Sequence, residues 1–592
     1  MNQPSPTDAS ARDVVAQRRP SGAAPSRRAV LGTAAWSAPL AIAASGAPAL
    51  ASSSTPLTDR IAIIGSGYGG AVAALRLGQA GKSVDLIEMG KDWTTDPGSF
   101  NKLTNPDGNS QWFLDRTDMP FAYLSGMDVV NRAIPRRAGV LGIEYFSGIK
   151  VYKGHGLGGG SLVNGGMAVT PRRSFFSQVP PQVDAAEMYS TYFPRANDAL
   201  GVTAPPMDLV LESAWYQFTR VGVQQAKKAG IGHAMVPNVY DFEYMRREVV
   251  ERETRSALAQ EVIFGNNHGK KDLTKTYLAT ARRQSGVKVI PMTEVTAITQ
   301  EADGTFTLAM KTIAFDRTVV SQSTARYGRV IMAAGSVGTA KLLMAAKATG
   351  AIRNLPAETG KRWGPNGNVV TSRRHRGIAT GARQSGIPVA GITTWDDSPA
   401  SVFAEVAPLP TGLEMETSLY LAITNNPNEA QYQRNAATGA LELTWTPAMA
   451  APGVSAMTNV MNRMNAVDGG TVRTDLFEGP KAYADFLTYH PLGGMVLGEA
   501  TDLSGTAAGM TITETATPIG SRKGSEFAFT ISQPLAAGAS VTLPLRYFVK
   551  PPMINVAFQL FVRASVPNAA MSGGVALSER LGRVNAINTY NA

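Results

Sequence analysis

The chain has 592 residues, 44% of them hydrophobic, and a formal net charge of +11. That length suffices for two or three domains with full cores. There is no cysteine, so disulfides, thiolate metal sites and cysteine nucleophiles are excluded. Residues 1–51 carry +3 of the charge, five arginines against Asp8 and Asp13, and the other +8 is spread along the chain. No basic run is interleaved with aromatics, which argues against nucleic acid as a partner. The excess charge reads first as a solvated basic face, with a weak preference for anionic surfaces as the alternative. The five histidines, His155, His233, His268, His375 and His490, do not sit at metal-ligand spacing with other ligand types, so no metal site is expected.

Arg27 and Arg28 precede Ala29–Ala51, a mildly apolar, Ala-rich stretch broken by Pro39 and Pro48 and closed by Ala49-Leu50-Ala51. A twin arginine, a weak apolar region and an A-x-A site predict a Tat signal over 1–51 and export of the folded chain, secreted or at the cell surface. The prolines and small residues argue against a membrane span.

Ile61–Glu88 reads as strand, glycine turn, helix and strand. The run Ile61–Ile64 predicts a buried strand. Gly65, Gly67 and Gly70 follow as G-x-G-x-x-G, with Ser66, Tyr68 and Gly69 between them. Ala71–Leu77 has helical composition, and Val84–Ile87 predicts a second strand ending at Glu88. This is the order of a dinucleotide-binding unit. Gly65 permits the tight turn, Gly67 lets the backbone approach a pyrophosphate, and Gly70 lets helix and strand pack closely. The helix N-terminus then offers free N–H groups to phosphate. Glu88 lies 23 residues after Gly65, where a carboxylate meets ribose hydroxyls. It favours FAD or NAD over NADP, whose 2′-phosphate it would repel.

Residues 89–145 are loop-rich. Trp112, Phe113, Phe121 and Tyr123 fit a membrane-docking loop over 112–132 or core packing equally well. A second glycine-rich stretch runs from Phe146 to Met167, with Gly158-Gly159-Gly160 followed by Asn164-Gly165-Gly166. So many glycines are costly in backbone entropy and make sense where the main chain presses against a flat ligand. Residues 171–260 read as a separate lobe or lid. A helix is expected over Lys275–Arg283 and a strand over Val287–Ile290. Tyr327–Leu343 predicts a strand, a glycine turn and a helix, a second crossover at the edge of the nucleotide sheet.

Ser401–Leu409 predicts a strand with Glu405 inside an apolar run. Buried there, its carboxyl would be neutral at a raised pKa and could serve as a general base; facing out by alternation, it would be an ordinary strand glutamate. His490 stands in Leu487–Gly494, where the following Pro-Leu-Gly-Gly holds it on a rigid turn; it is a candidate functional histidine. Residues 502–592 turn to Thr, Ser, Ala and Val with strand-like alternation at Glu526–Ile531, Ser540–Leu545 and Ile554–Val562, a β-rich tail.

From about Asp59 to Thr501 the chain resembles the bacterial FAD-dependent cholesterol oxidases with non-covalent flavin, in the glucose–methanol–choline (GMC) oxidoreductase family. The motifs that carry this are GSGYGGAVAALRL, FSGIKVY, GGGSLVNGGMAVTP, PNVYDFEYM, AAGSVGT, FAEVAPLP and TYHPLGG. The resemblance implies an α/β fold: a Rossmann-type FAD domain (59–170 and 265–365) and an α+β substrate domain on an antiparallel sheet (171–264 and 366–501). It implies that Gly65–Gly70 and Glu88 hold the ADP half of FAD. Gly160, Asn164, Gly165 and Met167 would line the flavin, and Val295 would meet adenine through its backbone. His490 would orient a steroid 3β-hydroxyl, and Glu405 would move a proton from C4 to C6. Cholesterol and related 3β-hydroxysteroids, molecular oxygen and a transient membrane surface are the implied partners. The resemblance stops at the tail, where the family's Asn-Pro-Phe segment and its catalytic asparagine have no counterpart. Two further readings stay open: a GMC alcohol oxidase for another substrate, and an exported flavoprotein-like binding protein.

Overall fold

The computed structural model describes residues 57–96, 107–118, 131–180, 183–259, 268–397, 400–409, 411–477 and 481–496, and the backbone of a few short strands beyond 505. The expected signal over 1–51 and the Ser540–Leu545 strand lie outside them. No helix among the described residues is long and apolar enough to cross a membrane.

Strands β1 (Leu57–Ile64) and β2 (Val84–Ile87) pair in parallel around the helix Tyr68–Gln79. Ile61–Ile64 are all buried, as a strand covered on both faces requires. The helix packs closely because it presents small residues: a Cβ on Gly78 would lie 2.7 Å from Val287 Cγ2. Strands β3 (Leu141–Phe146) and β4 (Ile149–Gly154) form a hairpin, and β5 (Gly232–Met235) follows the helix Gln217–Lys228. Then come β6 (Val287–Ile290), β7 (Thr293–Gln300), β8 (Phe306–Ile313) and β9 (Val319–Met332). The first sheet has the order β6-β2-β1-β9-β8-β7, and its parallel part, with third, second, first and fourth strands adjacent, is Rossmann-type.

The Tyr327–Met332 strand is therefore interior, not at the sheet edge as the sequence reading had it. β9 is 14 residues long. Its first part pairs antiparallel with β8 and its last residues pair in parallel with β1, so the β7–β8–β9 meander extends the sheet past the crossover.

The second sheet uses β10 (Asn368–Arg374), β11 (Ala390–Thr393), β12 (Val402–Ala407) and β13 (Thr417–Thr424). A small hairpin, β14 (Tyr432–Arg434) with β15 (Leu441–Leu443), precedes the helix Ala451–Asp468 and β16 (Thr471–Val472). The sheet order is β16-β10-β13-β12-β11-β5, all antiparallel. One face packs on the helices Gln217–Lys228 and Ala451–Asp468 through Val369, Val402, Ala404, Val406, Tyr420 and Ala422. A buried Arg373 bonds Asn465 Oδ1 (2.7 Å) and the Asp468 carboxylate, which ties that last helix to β10. The other face joins a cluster containing Val370, Ala407, Leu409, Leu419, Leu162 and Leu487. Last, β17 (Leu487–Thr488) pairs in parallel with β4.

Trp112 stacks on His155 at 4.2 Å and Phe113 is buried, so these two aromatics serve core packing. Phe121 and Tyr123 lie outside the described residues. In the tail, Thr506–Ala507, Met510–Thr515 and Ala528–Ile531 pair in series, and Leu560–Val562 pairs with Gly582–Val584.

Candidate active site

The turn after β1 is set by glycine where nothing else fits. Gly65 has φ +96°, and a Cβ there would lie 2.4 Å from Ala333 O in the turn after β9. A Cβ on Gly70 would lie 2.0 Å from Gly65 O. Around Gly67 and Gly69 a Cβ would meet nothing within 4 Å. The first two glycine positions thus shape the turn, and the open ones leave room at the N-terminus of a 12-residue helix where a pyrophosphate can sit.

Ser66 and Glu88 close the turn from below. Ser66 donates its backbone N–H (3.0 Å) and Oγ–H (2.6 Å) to Glu88 Oε2, and Gly90 N–H donates to Oε1 at 2.9 Å. Burial raises the Glu88 carboxyl above its usual range, and these hydrogen bonds pull it back. The structure therefore places Glu88 at the end of β2 against the glycine turn.

The second glycine-rich stretch lands on the first. A Cβ on Gly159 would lie 2.9 Å from Gly67 Cα, while Gly160 faces open space. Gly158 N–H donates to Ser66 Oγ at 3.1 Å. Asn164 Nδ2 donates to the Tyr68 hydroxyl at 2.7 Å, and Lys270 Nζ donates to Asn164 O at 2.6 Å. Burial pushes the Lys270 ammonium down to about 7. Gly165 and Met167 continue this strand of chain, and Val239 N–H donates to Gly166 O at 2.7 Å. Val295 is two residues beyond Thr293, whose N–H bonds Glu88 O at 2.9 Å. It is buried, and β7 bulges between Val295 and Ala297.

Both glycine stretches, Glu88 and Val295 thus converge at one end of the first sheet. The open space at Gly67, Gly69 and Gly160, walled by backbone that tolerates no Cβ at Gly65 or Gly70, fits an extended dinucleotide such as FAD.

Glu405 lies in β12 between Gly391 and Leu421. Its neighbours Ala404 and Val406 face the helices, so by alternation Glu405 faces the other way, with Ala407. Burial alone raises its carboxyl to about 8, and no charge or hydrogen bond among the described residues offsets it. Register puts Asn368 of β10 opposite Ile423 and Val370 opposite Leu421. Asn368, Val370, Leu421 and Glu405 consequently share one face, with Asn368 two strands from Glu405.

His490 follows β17. Its N–H donates to Thr488 Oγ1 at 2.9 Å, and its Nδ1 is 3.1 Å from Asn368 Oδ1. The residue is exposed, yet the surrounding protein desolvates the imidazole enough to lower its pKa. Tyr489 packs on Tyr152 of β4 at 5.0 Å. The β4–β17 pairing therefore connects the histidine turn to the strand that feeds the second glycine stretch. Sequence reasoning missed Asn368 and Lys270. Asn368 opens a strand in PNGNVV and Lys270 sits in a basic pair, and neither has a spacing that marks chemistry.

Two family models match the chain. Residues 132–354 match the GMC oxidoreductase family model, and residues 366–478 match the GMC oxidoreductase C-terminal model. A cholesterol oxidase of Acinetobacter baumannii is 24% identical over 251 residues, covering 39% of this chain and 40% of that protein. A cholesterol oxidase of Mycobacterium tuberculosis is 26% identical over 265 residues, covering 41% and 40%. The match spans about two fifths of the length of these curated relatives. Among solved structures, a fungal aryl-alcohol oxidase aligns with a TM-score of 0.46 at 12% identity, over 73% of this chain and 89% of that one. Pyridoxine 4-oxidase from Mesorbium loti aligns with a TM-score of 0.45 at 13% identity, over 75% and 90%.

Proposed function

Since the chain belongs to the GMC oxidoreductase family, we infer that it is an exported, FAD-dependent cholesterol oxidase with non-covalent flavin. It oxidises the 3β-hydroxyl of sterols with O2, yields H2O2, and isomerises the Δ5 ketone to the Δ4 3-ketosteroid. The observation that carries this reading is Glu405, a buried carboxyl with no partner among the described residues, on a largely apolar sheet face that also bears Asn368, the partner of His490.

Bound FAD would supply a two-electron acceptor for the C3 hydride and return the electrons to O2. The residues from Gly65 to Gly70, Glu88, Gly160, Asn164, Gly165, Met167 and Val295 are the ones that would hold it. His490 orients the hydroxyl and takes its proton. Glu405, once ionised, removes the C4 proton and returns it at C6, so no net proton is consumed. Val370, Leu421 and Ala407 keep water from this face, which both preserves the reactive ketone and raises the carboxyl.

The test is steroid-dependent peroxide production by the purified, flavin-loaded chain. Cholesterol should give peroxide and the conjugated ketone, and Glu405→Gln should spare oxidation while the Δ5 ketone accumulates. Absence of peroxide with every 3β-hydroxysteroid, despite bound flavin, would overturn the reading. Turnover confined to a non-steroid alcohol would then indicate another GMC alcohol oxidase, and a folded chain that takes up no flavin would indicate a binding protein.

A further inference from the structure

We propose that Asn368 is the positioning residue of His490: its side-chain carbonyl fixes the imidazole in the Nδ1–H tautomer and leaves the Nε2 lone pair as the proton acceptor. The catalytic consequence rests on the oxidase reading, but the geometry does not.

A carbonyl oxygen can only accept a hydrogen bond. Asn368 Oδ1 stands 3.1 Å from His490 Nδ1, so that nitrogen carries the hydrogen. The amide is held this way round because its Nδ2 faces Ala422 O at 3.5 Å. Turned over, it would set two oxygens against each other and aim an N–H at Nδ1. Thr488 completes the clamp. Its Oγ1 lies 2.7 Å from Asn368 Oδ1 and 3.0 Å from Pro365 O, and it accepts the His490 N–H at 2.9 Å. Thr488 thus holds the histidine backbone while Asn368 holds the ring.

Asn368 is itself rigidly placed. It is the first residue of β10, in register with Ile423. It follows Gly367, whose φ is +59° and where a Cβ would lie 2.0 Å from Thr424 O. A group carried on a strand start fixed by its neighbour orients a ring better than one on a free loop. The choice of tautomer matters because it decides which nitrogen can accept a proton. Free imidazole side chains prefer the Nε2–H form, so the Nδ1–H form needs a dedicated acceptor.

The experiment is nitrogen NMR on the full chain labelled with 15N-histidine. Only five histidines are present, and His490→Gln assigns the signal. The wild type should show a protonated Nδ1 and an unprotonated Nε2 at position 490. Asn368→Leu should lose that preference, and Asn368→Asp, which keeps an acceptor, should retain it. A wild-type Nε2–H tautomer, or an Asn368→Leu spectrum identical to wild type, overturns the proposal. If Asn368→Leu fails to fold, the wild-type and Asn368→Asp spectra decide alone. In the flavin-loaded enzyme, Asn368→Leu should slow flavin reduction by about 10–100-fold, the range for removing an orienting partner, with little change in KM and partial rescue by Asn368→Asp. A chain that oxidises no alcohol would sink the oxidase reading and leave the tautomer result to be judged by itself.

Discussion

Asn164 Nδ2 donates a hydrogen bond of 2.7 Å to the hydroxyl of Tyr68. The two residues are 96 positions apart, one at the first turn of the helix after β1 and the other at the end of the second glycine-rich stretch. With Gly159 seated on Gly67, this bond makes two distant segments into one wall. A neutral hydrogen bond of this kind contributes about 1 kcal/mol, and it ties the two segments together. Tyr68→Phe should therefore weaken FAD binding by roughly 5–10-fold and leave the fold intact. Flavin fluorescence during titration of the apoprotein measures this directly, and an unchanged Kd would show that the wall is ordered without the bond.

Gly67 and Gly70 are alike in sequence and opposite in what surrounds them. Gly67 has φ −63° and open space where a Cβ would go, whereas a Cβ on Gly70 would lie 2.0 Å from Gly65 O. Gly67→Ala should leave the apoprotein's stability within about 0.5 kcal/mol of wild type but place a methyl where the proposed FAD pyrophosphate would approach, and flavin should then be lost. Gly70→Ala should lower stability by about 2 kcal/mol or more through backbone overpacking. Thermal melts of the two apoproteins, alongside their flavin content, distinguish the cases. A Gly67→Ala chain that keeps full flavin would mean that the cofactor does not pass over this turn.

Glu248 holds a different part of the molecule. Its buried carboxylate accepts from the Tyr240 hydroxyl (2.6 Å), Ser256 N–H (3.0 Å), Ser256 Oγ (3.0 Å) and Leu258 N–H (3.0 Å). This closes the chain from 249 to 258 back onto the helix Phe242–Val249. Glu248→Ala strands several buried donors at once, and each lost partner costs about 1–3 kcal/mol. The total should be about 3–5 kcal/mol, read as a fall in urea midpoint. A loss below 1 kcal/mol would mean that water replaces the carboxylate. Proteolysis within 249–259 should become faster in the same variant.

Much of this was legible in the sequence, for reasons that differ by region. The β1 and β2 strands, the glycine turn and Glu88 could be read because each depends on neighbours close in the chain. β2 and β6 occur at the residues expected, Val84–Ile87 and Val287–Ile290. The position of β9 could not be read, since nothing in Tyr327–Met332 says that its N-terminal half continues into an antiparallel meander. Glu405 was open between a buried base and a solvent-facing glutamate because alternation gives two faces without saying which is covered. The cluster around Leu162 and Leu487, from two other segments, covers the face that Glu405 occupies. Asn368 was invisible for the same reason: its meaning comes from a histidine 122 residues later.

The buried carboxyl of Glu405 also predicts how stability changes with pH. Its folded pKa of about 8 lies well above the ordinary 4.5, so the folded state binds the proton more tightly than the unfolded state does. The protonated form costs little to bury, and the relative penalty is absent below about pH 4.5. It grows as pH rises and is complete once pH passes about 8, where the folded protein must bury a charge. A shift of this size corresponds to at most about 5 kcal/mol. Glu405→Gln removes the penalty and nearly preserves volume. The variant should match wild type at about pH 4, become progressively more stable than it up to about pH 8 and hold that advantage above, measured as urea midpoints across that range. On the proposed cholesterol oxidase reading, isomerisation by the flavin-loaded enzyme would need the ionised carboxylate and should rise through the same window, while oxidation in Glu405→Gln should not follow it. A stability difference between the two proteins that is constant from pH 5 to pH 9 would show that Glu405 is ionised throughout and paired with a group outside the described residues.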